Sequence, residues 1–212
     1  MFLSKLVLNE RSTQVHRDLA NAHKLHQRIM QGFPDEQKVE SPRQDWQILY
    51  RQEPDPQSNL ILVQSNQEPD WSKLPSEYLE PEISEPCVKP IDISRWQLDS
   101  NHPLQFRIKV NPVKRDAKTR KLIPLYKREE HLAWFHHKAE QSGFQINTID
   151  SIPVPNIIGS KGKGKGQIKL FSVLLQGQLQ VRDREKFITA ICQGIGKGRS
   201  YGCGLLSIAK YR

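Results

Sequence analysis

Hydrophobic and polar residues follow a strand–helix–strand–strand order in the first half of the chain. Short apolar runs with weak alternation are typical of strands, whereas the apolar period after residue 12 is close to 3.6 and is typical of a helix. The hairpin turn PDPQ separates two of the runs. The pattern predicts strands at 3–9, 46–52, 59–65 and 93–100, one helix from Ser12 or Thr13 to about Gln31, and a short helix around Ser72–Tyr78.

The second half of the chain repeats this order. The pattern predicts strands at 104–114, 144–154, 168–181 and 202–211, and helices at 127–143 and 183–195. Two such halves in tandem are typical of the ferredoxin-like plan. We therefore predict an α+β fold with two tandem ferredoxin-like (RRM-like) domains, at residues 1–97 and 98–212.

Charge divides the chain at the same place. Residues 1–100 hold 11 Lys+Arg and 16 Asp+Glu, whereas residues 101–212 hold 21 Lys+Arg and 7 Asp+Glu. A surface with so large a positive excess repels itself unless a polyanion is near. Nucleic acid is the leading partner class and anionic lipid the second, but no basic amphipathic helix with a bulky aromatic face supports lipid.

Composition limits the compartment and the cofactors. No apolar run approaches the roughly 18 residues of a membrane span, and the first residues lack the apolar core and cleavage site of a signal peptide. We expect a cytoplasmic protein without membrane contact. Cys87, Cys192 and Cys203 form no CxxC pair, so we expect buried, inert thiols rather than disulfides or a zinc site.

Glycine is concentrated in two basic stretches. GSKGKGKG (159–166) and GIGKGRSYGCG (194–204) hold nine of the twelve glycines. Neither stretch matches GxxxxGK[ST] or GxGxxG, which argues against a nucleotide-phosphate cradle. The first is either a solvated loop or a clamp whose lysines Lys161, Lys163 and Lys165 contact the phosphates of a polyanion.

Histidines supply the candidate acid–base chemistry. His26 lies within the apolar stripe of the first predicted helix, and His23 lies at its edge, so periodicity alone favours a buried core histidine. A helix of 19 residues is about 28 Å long, however, and its last turns could enter a cleft between the domains. A half-desolvated imidazole there is a good acid–base group. We expect the other histidine-rich helix, with His131, His136 and His137, to place these side chains on its surface.

The glycine-rich C-terminal stretch resembles that of a known family. GIGKGRSYGCG has the pattern GhG, five residues with Lys or Arg, then GhG, where h is hydrophobic. This resembles the glycine-rich loop of the CRISPR-associated repeat-processing endoribonucleases. Together with MFLSKL, HKLHQRIMQGFP and FRIKVNPVK, it is similar to the type I-E members, from one end of the chain to the other.

The resemblance implies a function and a set of residues. It implies tandem ferredoxin-like domains that bind the hairpin repeat of CRISPR precursor RNA, cleave beside the stem without metal or cofactor, and join other subunits of the Cascade complex. His26 stands at the family's catalytic histidine, and His23 stands where other members carry a tyrosine. The glycine-rich loop comprises Gly194, Gly196, Gly198, Gly202 and Gly204.

RNA cleavage of this kind needs alignment of the 2′-OH, proton transfer and neutralisation of developing charge. We assign His26, and with it His23, to proton transfer; the sequence leaves open which acts as base. The candidate RNA-binding residues are Lys114, Arg115, Lys161, Lys163, Lys165, Lys197 and Arg199. Two alternatives remain open at this point, a non-catalytic RNA-binding subunit and a ribosome-associated basic protein.

Overall fold

The computed structural model describes residues 1–34, 42–53, 59–80, 87–96, 98, 102–162, 164 and 166–210. The chain forms two compact units that are discontinuous in sequence. The first unit comprises Met1–Ile93, Ile157–Lys169 and Ser200–Gly202, and the second comprises Ser94–Asn156, Leu170–Arg199 and Cys203–Arg212. A division into domains at residue 98 stays a prediction.

The first unit contains a four-stranded antiparallel sheet with helices that follow its first strand. Its strands are β1 (Phe2–Val7), β2 (Leu49–Gln52), β3 (Leu60–Ser65) and β4 (Cys87–Pro90), in the spatial order β2-β3-β1-β4. Its helices are α1 (Thr13–Leu19), α2 (Ala22–Met30) and the single turn α3 (Pro42–Asp45). Between β3 and β4, the described residues contain only one 3₁₀ turn, Trp71–Lys73, where a ferredoxin-like fold has its second helix.

The core of the first unit lies between α2 and one face of this sheet. Alternate residues of β1 and of the first part of β3 are buried, because successive side chains of a strand point to opposite faces. Leu25 and Ile29 of α2 join this core, with Leu6, Ile61 and Val63 from the strands. Each fully buried side chain of this kind contributes about 1.5–3 kcal/mol, so α2 is held mainly by its apolar face.

The second unit repeats the same sheet order with two longer helices. The sheet has the order β12-β5-β11-β8, formed by β5 (Leu104–Val110), β8 (Phe144–Pro153), β11 (Val173–Val181) and β12 (Ser207–Lys210). The helices are α4 (Arg128–Gln141) and α5 (Arg184–Gln193). Numbered within each unit, both sheets read 4-1-3-2, so the predicted α+β class with tandem ferredoxin-like folds is confirmed. No described helix is long and apolar enough to span a bilayer.

Two small hairpins complete the fold. One pairs β6 (Val113–Arg115) with β7 (Leu122–Pro124), and the other pairs β9 (Ile157–Ser160) with β10 (Gln167–Leu170). The predicted strand at 168–181 is therefore two strands in different sheets. The chain changes sheets at Phe171 and Ser172, where Asn111 Nδ2 donates to the Phe171 carbonyl at 2.6 Å and Ser172 Oγ donates to Pro155 O at 2.9 Å.

The fourth strand of the first sheet lies earlier than the sequence predicts. Residues Ile93–Arg95 form a 3₁₀ turn, and the strand that pairs with β1 is Cys87–Pro90. Pro90 pairs with Phe2 at the end of an edge strand, where the missing N–H of proline is tolerated. The prediction of a strand over 93–100 was wrong for residues 93–96, because apolar spacing does not show which apolar run pairs with the edge of the sheet; residues 97, 99 and 100 lie outside the described residues.

Candidate active site

The histidine-bearing helix begins at Asn21. The predicted single helix over 13–31 is two helices, because Asn21 is extended (φ −140°, ψ 103°) and its side chain accepts a hydrogen bond from His23 N at 3.1 Å. An asparagine cap of this kind starts a new helix. The break changes the phase of the apolar stripe. Leu25 is buried, whereas His26 is only partly buried and is not a core residue.

A salt bridge fixes the corner between α1 and α2. Arg28 Nε lies 2.8 Å from Asp18 Oδ2, and the Asp18 side chain is only 7% exposed. The guanidinium of Arg28 also lies 5.0 Å above the ring of Tyr78 and donates to Gln31 Oε1 at 2.9 Å. Because Arg28 follows His26 by two residues on α2, these contacts restrict rotation of the helix that carries the histidine.

His23 and His26 line an open cleft of about 700 Å³ in the first unit. The other residues that line it are Gln27, Met30, Gln31, Phe33, Pro34 and Lys73. Within the part of the chain that the structure describes, the Nδ1 atoms of both histidines are buried without a hydrogen-bond partner. Such an atom costs about 1–3 kcal/mol, and a catalytic role is one of the explanations for an unpaired buried polar group.

The environment of His26 favours the neutral imidazole. Burial lowers the pKa of His26 to about 4, with smaller contributions from the positive charge of Arg43 and from His23. At neutral pH the ring is therefore able to accept a proton. A phosphate anion beside it would raise the pKa again, because an opposite charge favours the charged form.

Within the first unit, two tyrosines mediate contacts that involve the segment Ser200–Gly202 of the glycine-rich stretch. Tyr50 Oη donates to Ser200 O at 3.0 Å, and the ring of Tyr201 lies against that of His26, with ring centroids 6.2 Å apart. Ser200 and Tyr201 belong to the first unit by their contacts. Sequence reasoning selected the glycines and cations of this stretch and missed Tyr50 and Tyr201. The one local sequence signal for Tyr201 is its position beside Ser200 between glycines of the C-terminal stretch. No local sequence signal indicates Tyr50.

All five glycines of the C-terminal loop have φ between 76° and 89°. Two of these positions also face a ring at close range. A Cβ on Gly202 would lie 3.2 Å from the ring of Tyr50, and one on Gly196 would lie 3.0 Å from Trp134. Other residues rarely adopt this conformation, so the spacing of the glycines follows from the path of the loop itself.

Two of the predicted RNA-binding residues lie in the β6–β7 hairpin. Lys114 is exposed, with Nζ 3.8 Å from Glu130 Oε1. Arg115 is exposed and donates through Nη1 to Arg120 O at 2.9 Å. Both side chains are at the surface of the second unit, where a polyanion can reach them.

The remaining predicted cations differ in exposure. Lys161 and Lys197 are exposed, whereas Arg199 is half-buried and its Nε donates to Gly196 O at 3.1 Å. Burial lowers the pKa of Arg199. Arg199 therefore stabilises the glycine-rich loop through its Nε atom. Lys163 and Lys165 lie outside the described residues.

The second histidine-rich helix corrects one expectation. His131 is 5% exposed, and its Nε2 lies 2.7 Å from Ser151 Oγ, so it is a core residue and not a surface one. Burial lowers the pKa of His131. His136 and His137 are exposed, as expected. The strand β8, which contains Ser151, supplies a polar partner that helix periodicity does not show.

The structure agrees only in part with the expectation that the cysteines are buried, inert thiols. Cys203 is fully buried, and burial raises the pKa of its thiol to about 12, which makes it inert. Cys192 is only half-buried, and the side chain of Cys87 lies outside the described residues. Among the described residues, no three His, Cys, Asp or Glu side chains come together as a metal site would require.

Comparison with known proteins identifies the family. The family model described as "CRISPR associated protein" matches residues 1–210. The chain belongs to this family. It is 33% identical to the CRISPR-associated endoribonuclease Cse3 of Thermus thermophilus, over 99% of this chain and 100% of that protein. It is 29% identical to the Cascade subunit CasE of Escherichia coli, over 99% of each chain.

Solved structures of this family share the fold. A structure of Cse3 bound to a 19 nt RNA superposes with a TM-score of 0.85 at 30% identity, covering 99% of this chain and 100% of that one. The predicted membership of the type I-E repeat-processing endoribonucleases is confirmed. In this chain, His23, His26 and Tyr201 all belong to the first compact unit.

Proposed function

We propose that this protein binds the hairpin repeat of CRISPR precursor RNA and cleaves it beside the stem, without a metal ion. The observation that supports it most directly is His26, a half-buried imidazole in an open cleft whose environment keeps it neutral. The relatives support the substrate class, because one is named a CRISPR-associated endoribonuclease and was solved with RNA bound.

The proposed reaction uses the RNA's own nucleophile. His26 or His23 takes the proton of the 2′-OH, whose oxygen attacks the adjacent phosphorus while the bond to the 5′ oxygen breaks. The other group supplies a proton to the leaving oxygen, so the products are a 2′,3′-cyclic phosphate and a 5′-OH. The neutral state of His26 in the free protein supports the role of base. Positioned acid–base groups contribute about 10²–10⁴-fold.

Exposed cations supply the proposed binding surface. Lys161 and Lys197 are exposed, as are Lys114 and Arg115. Side chains cannot read the narrow major groove of A-form RNA, so a hairpin is recognised mainly through its shape and backbone. We propose that the protein stays bound to the mature guide RNA and joins other Cascade subunits, as the relative named a Cascade subunit suggests.

The test is cleavage of a hairpin repeat RNA in EDTA. We expect a cut at one position beside the stem, a 2′,3′-cyclic phosphate on the product, and no cut when the 2′-OH at that position is replaced by hydrogen. RNA that binds but stays intact would instead support the non-catalytic RNA-binding subunit. If unrelated RNA such as ribosomal RNA binds with the same affinity as the hairpin repeat, the result would support a ribosome-associated basic protein.

A further inference from the structure

The side chain of Asn21 contacts two elements at once. Its Oδ1 accepts from His23 N at 3.1 Å and from Ser160 N at 3.2 Å, while its Nδ2 donates to Ser160 O at 3.2 Å. The amide thus caps helix α2 and also pairs with Ser160 as a neighbouring strand would. Its orientation follows from the network, because the reversed amide would place NH₂ against two N–H donors.

The strand and the helix approach closely at this point. Gly159 precedes Ser160 in β9, and a Cβ there would lie 2.7 Å from Asn21 Oδ1 and 3.0 Å from Ala22 N. Ile157, at the start of the same strand, is buried. Strand β9 is therefore held against the first turn of α2 by packing and by the paired hydrogen bonds.

The two elements that Asn21 contacts each carry residues of the proposed function. Ser160 is followed by the exposed Lys161, and Asn21 is followed on α2 by His23 and His26. At a rise of 1.5 Å per residue, His26 lies about 7.5 Å along the helix axis from Asn21. A displacement of about 1 Å between binding and reacting groups can cost about 10²-fold in rate.

We propose that Asn21 is a positioning residue that holds strand β9, and with it Lys161, in register with the N-terminus of helix α2. RNA held by the β9–β10 hairpin is then presented to His26 in one alignment. This inference rests on the proposed function for its consequence, but the link between β9 and α2 is a property of the protein without RNA.

The experiment replaces Asn21 by serine. Serine caps a helix about as well as asparagine, but its single short side-chain oxygen cannot also pair with both backbone groups of Ser160. We expect Asn21→Ser to keep the melting temperature, the Kd for hairpin RNA within threefold, and the salt dependence of binding. Single-turnover cleavage should fall about 10–100-fold, and the cut should spread to neighbouring positions.

Two further variants separate positioning from simple destabilisation. Gly159→Ala should lower cleavage in the same way, because its Cβ displaces the Asn21 amide, and the double variant should lose little more than either single one. The matched control is Asp183→Ser, since Asp183 also caps a helix by accepting from Lys186 N at 3.1 Å. It should leave cleavage unchanged.

Amide hydrogen exchange in the absence of RNA completes the test. In Asn21→Ser we expect at least tenfold faster exchange at Ser160 N–H with protection kept at His23 N–H. Three outcomes for Asn21→Ser would each overturn the proposal. These are unchanged protection at Ser160 N–H, cleavage within twofold of wild type, and equal losses of affinity, rate and melting temperature. If the wild-type protein does not cut RNA, the proposed function fails, and the exchange result alone decides whether Asn21 joins β9 to α2.

Discussion

The rings of Tyr201 and His26 meet nearly at right angles, with their centroids 6.2 Å apart and an interplanar angle of 78°. The contact joins two motifs that are far apart in sequence, HKLHQ and GRSYG. Edge contacts between aromatic rings contribute about 0.5–1.5 kcal/mol beyond the area that they bury. Tyr201 is therefore placed to restrict the orientation of the His26 imidazole.

Tyr201→Ala should lower single-turnover cleavage about fivefold, because a contact of about 1 kcal/mol no longer orients the His26 ring. Tyr201→Phe keeps the ring and should cut within about twofold of wild type. Tyr126→Ala is the control, since Tyr126 is 66% exposed and lies in the second unit. Full activity in Tyr201→Ala would show that the ring contact has no role in cleavage.

His26→Ala should abolish cleavage while the Kd for hairpin RNA changes little, because the imidazole moves protons and does not carry the phosphate contacts. Cleavage is measured in single turnover and binding by filter retention. His26 is half-buried, so its loss should leave the protein folded. A variant that unfolds would restore the core-histidine interpretation, and one that cuts normally would remove His26 from the mechanism.

Stability should depend on pH through His26. The pKa of His26 in the folded state, about 4, lies below the ordinary value of 6.5, so the unfolded state binds the proton first. Above pH 6.5 the residue contributes no pH dependence, and stability falls as the pH decreases from 6.5 to 4. At about 1.4 kcal/mol per pKa unit, urea unfolding at pH 4.5 and 7 should show wild type losing about 2 kcal/mol more than His26→Asn. Equal losses would contradict the burial of the imidazole.

Binding of hairpin RNA should weaken steeply with salt. Replacing Lys161, Lys163 and Lys165 by alanine should lower the slope of log K against log[salt] by about one to three units, near one per phosphate contact. Lys186→Ala is the control, because its charge is already paired with Asp183 at 3.0 Å. A slope that does not change in the triple variant would show that this stretch does not touch phosphates.

The second histidine is tested by the pH profile of cleavage. His23 and His26 are three residues apart on one helix, so their side chains lie on the same face. If one takes the 2′-OH proton and the other protonates the leaving oxygen, single-turnover cleavage should follow a bell-shaped pH profile. His23→Tyr should keep measurable activity and flatten one limb. If His23→Tyr and His23→Ala leave the shape unchanged, the two-histidine mechanism should be dropped.

Local patterns predicted the elements whose signals are complete within a few residues. Asp183 accepts from Lys186 N and starts α5, and Gly143 with a φ of 76° follows α4. In β5, Phe106 and Ile108 are buried, whereas Gln105 and Arg107 are exposed, as the alternation of a strand requires. The same local information located His26 and the glycine-rich loop, because the motif letters are contiguous.

Long-range partners decided where local patterns were wrong. The run 168–181 reads as one strand, but its two halves pair with different neighbours. Residues 13–31 read as one helix, but Asn21 satisfies backbone groups of both α2 and β9 and breaks it. Periodicity shows which face of an element is apolar and does not show which element covers that face.

The sequence by itself therefore determined the class of the fold, the basic second half, the family and the position of His26 in a helix. Only the tertiary structure decided that His26 lies in a cleft rather than in the core, that Tyr201 lies against it, and that Asn21 holds β9 to its helix. The physical reason is that the ring contact between His26 and Tyr201 and the hydrogen bonds between Asn21 and Ser160 join residues that are 175 and 139 positions apart. Their approach is set by packing of the whole unit, and no window of local sequence contains it.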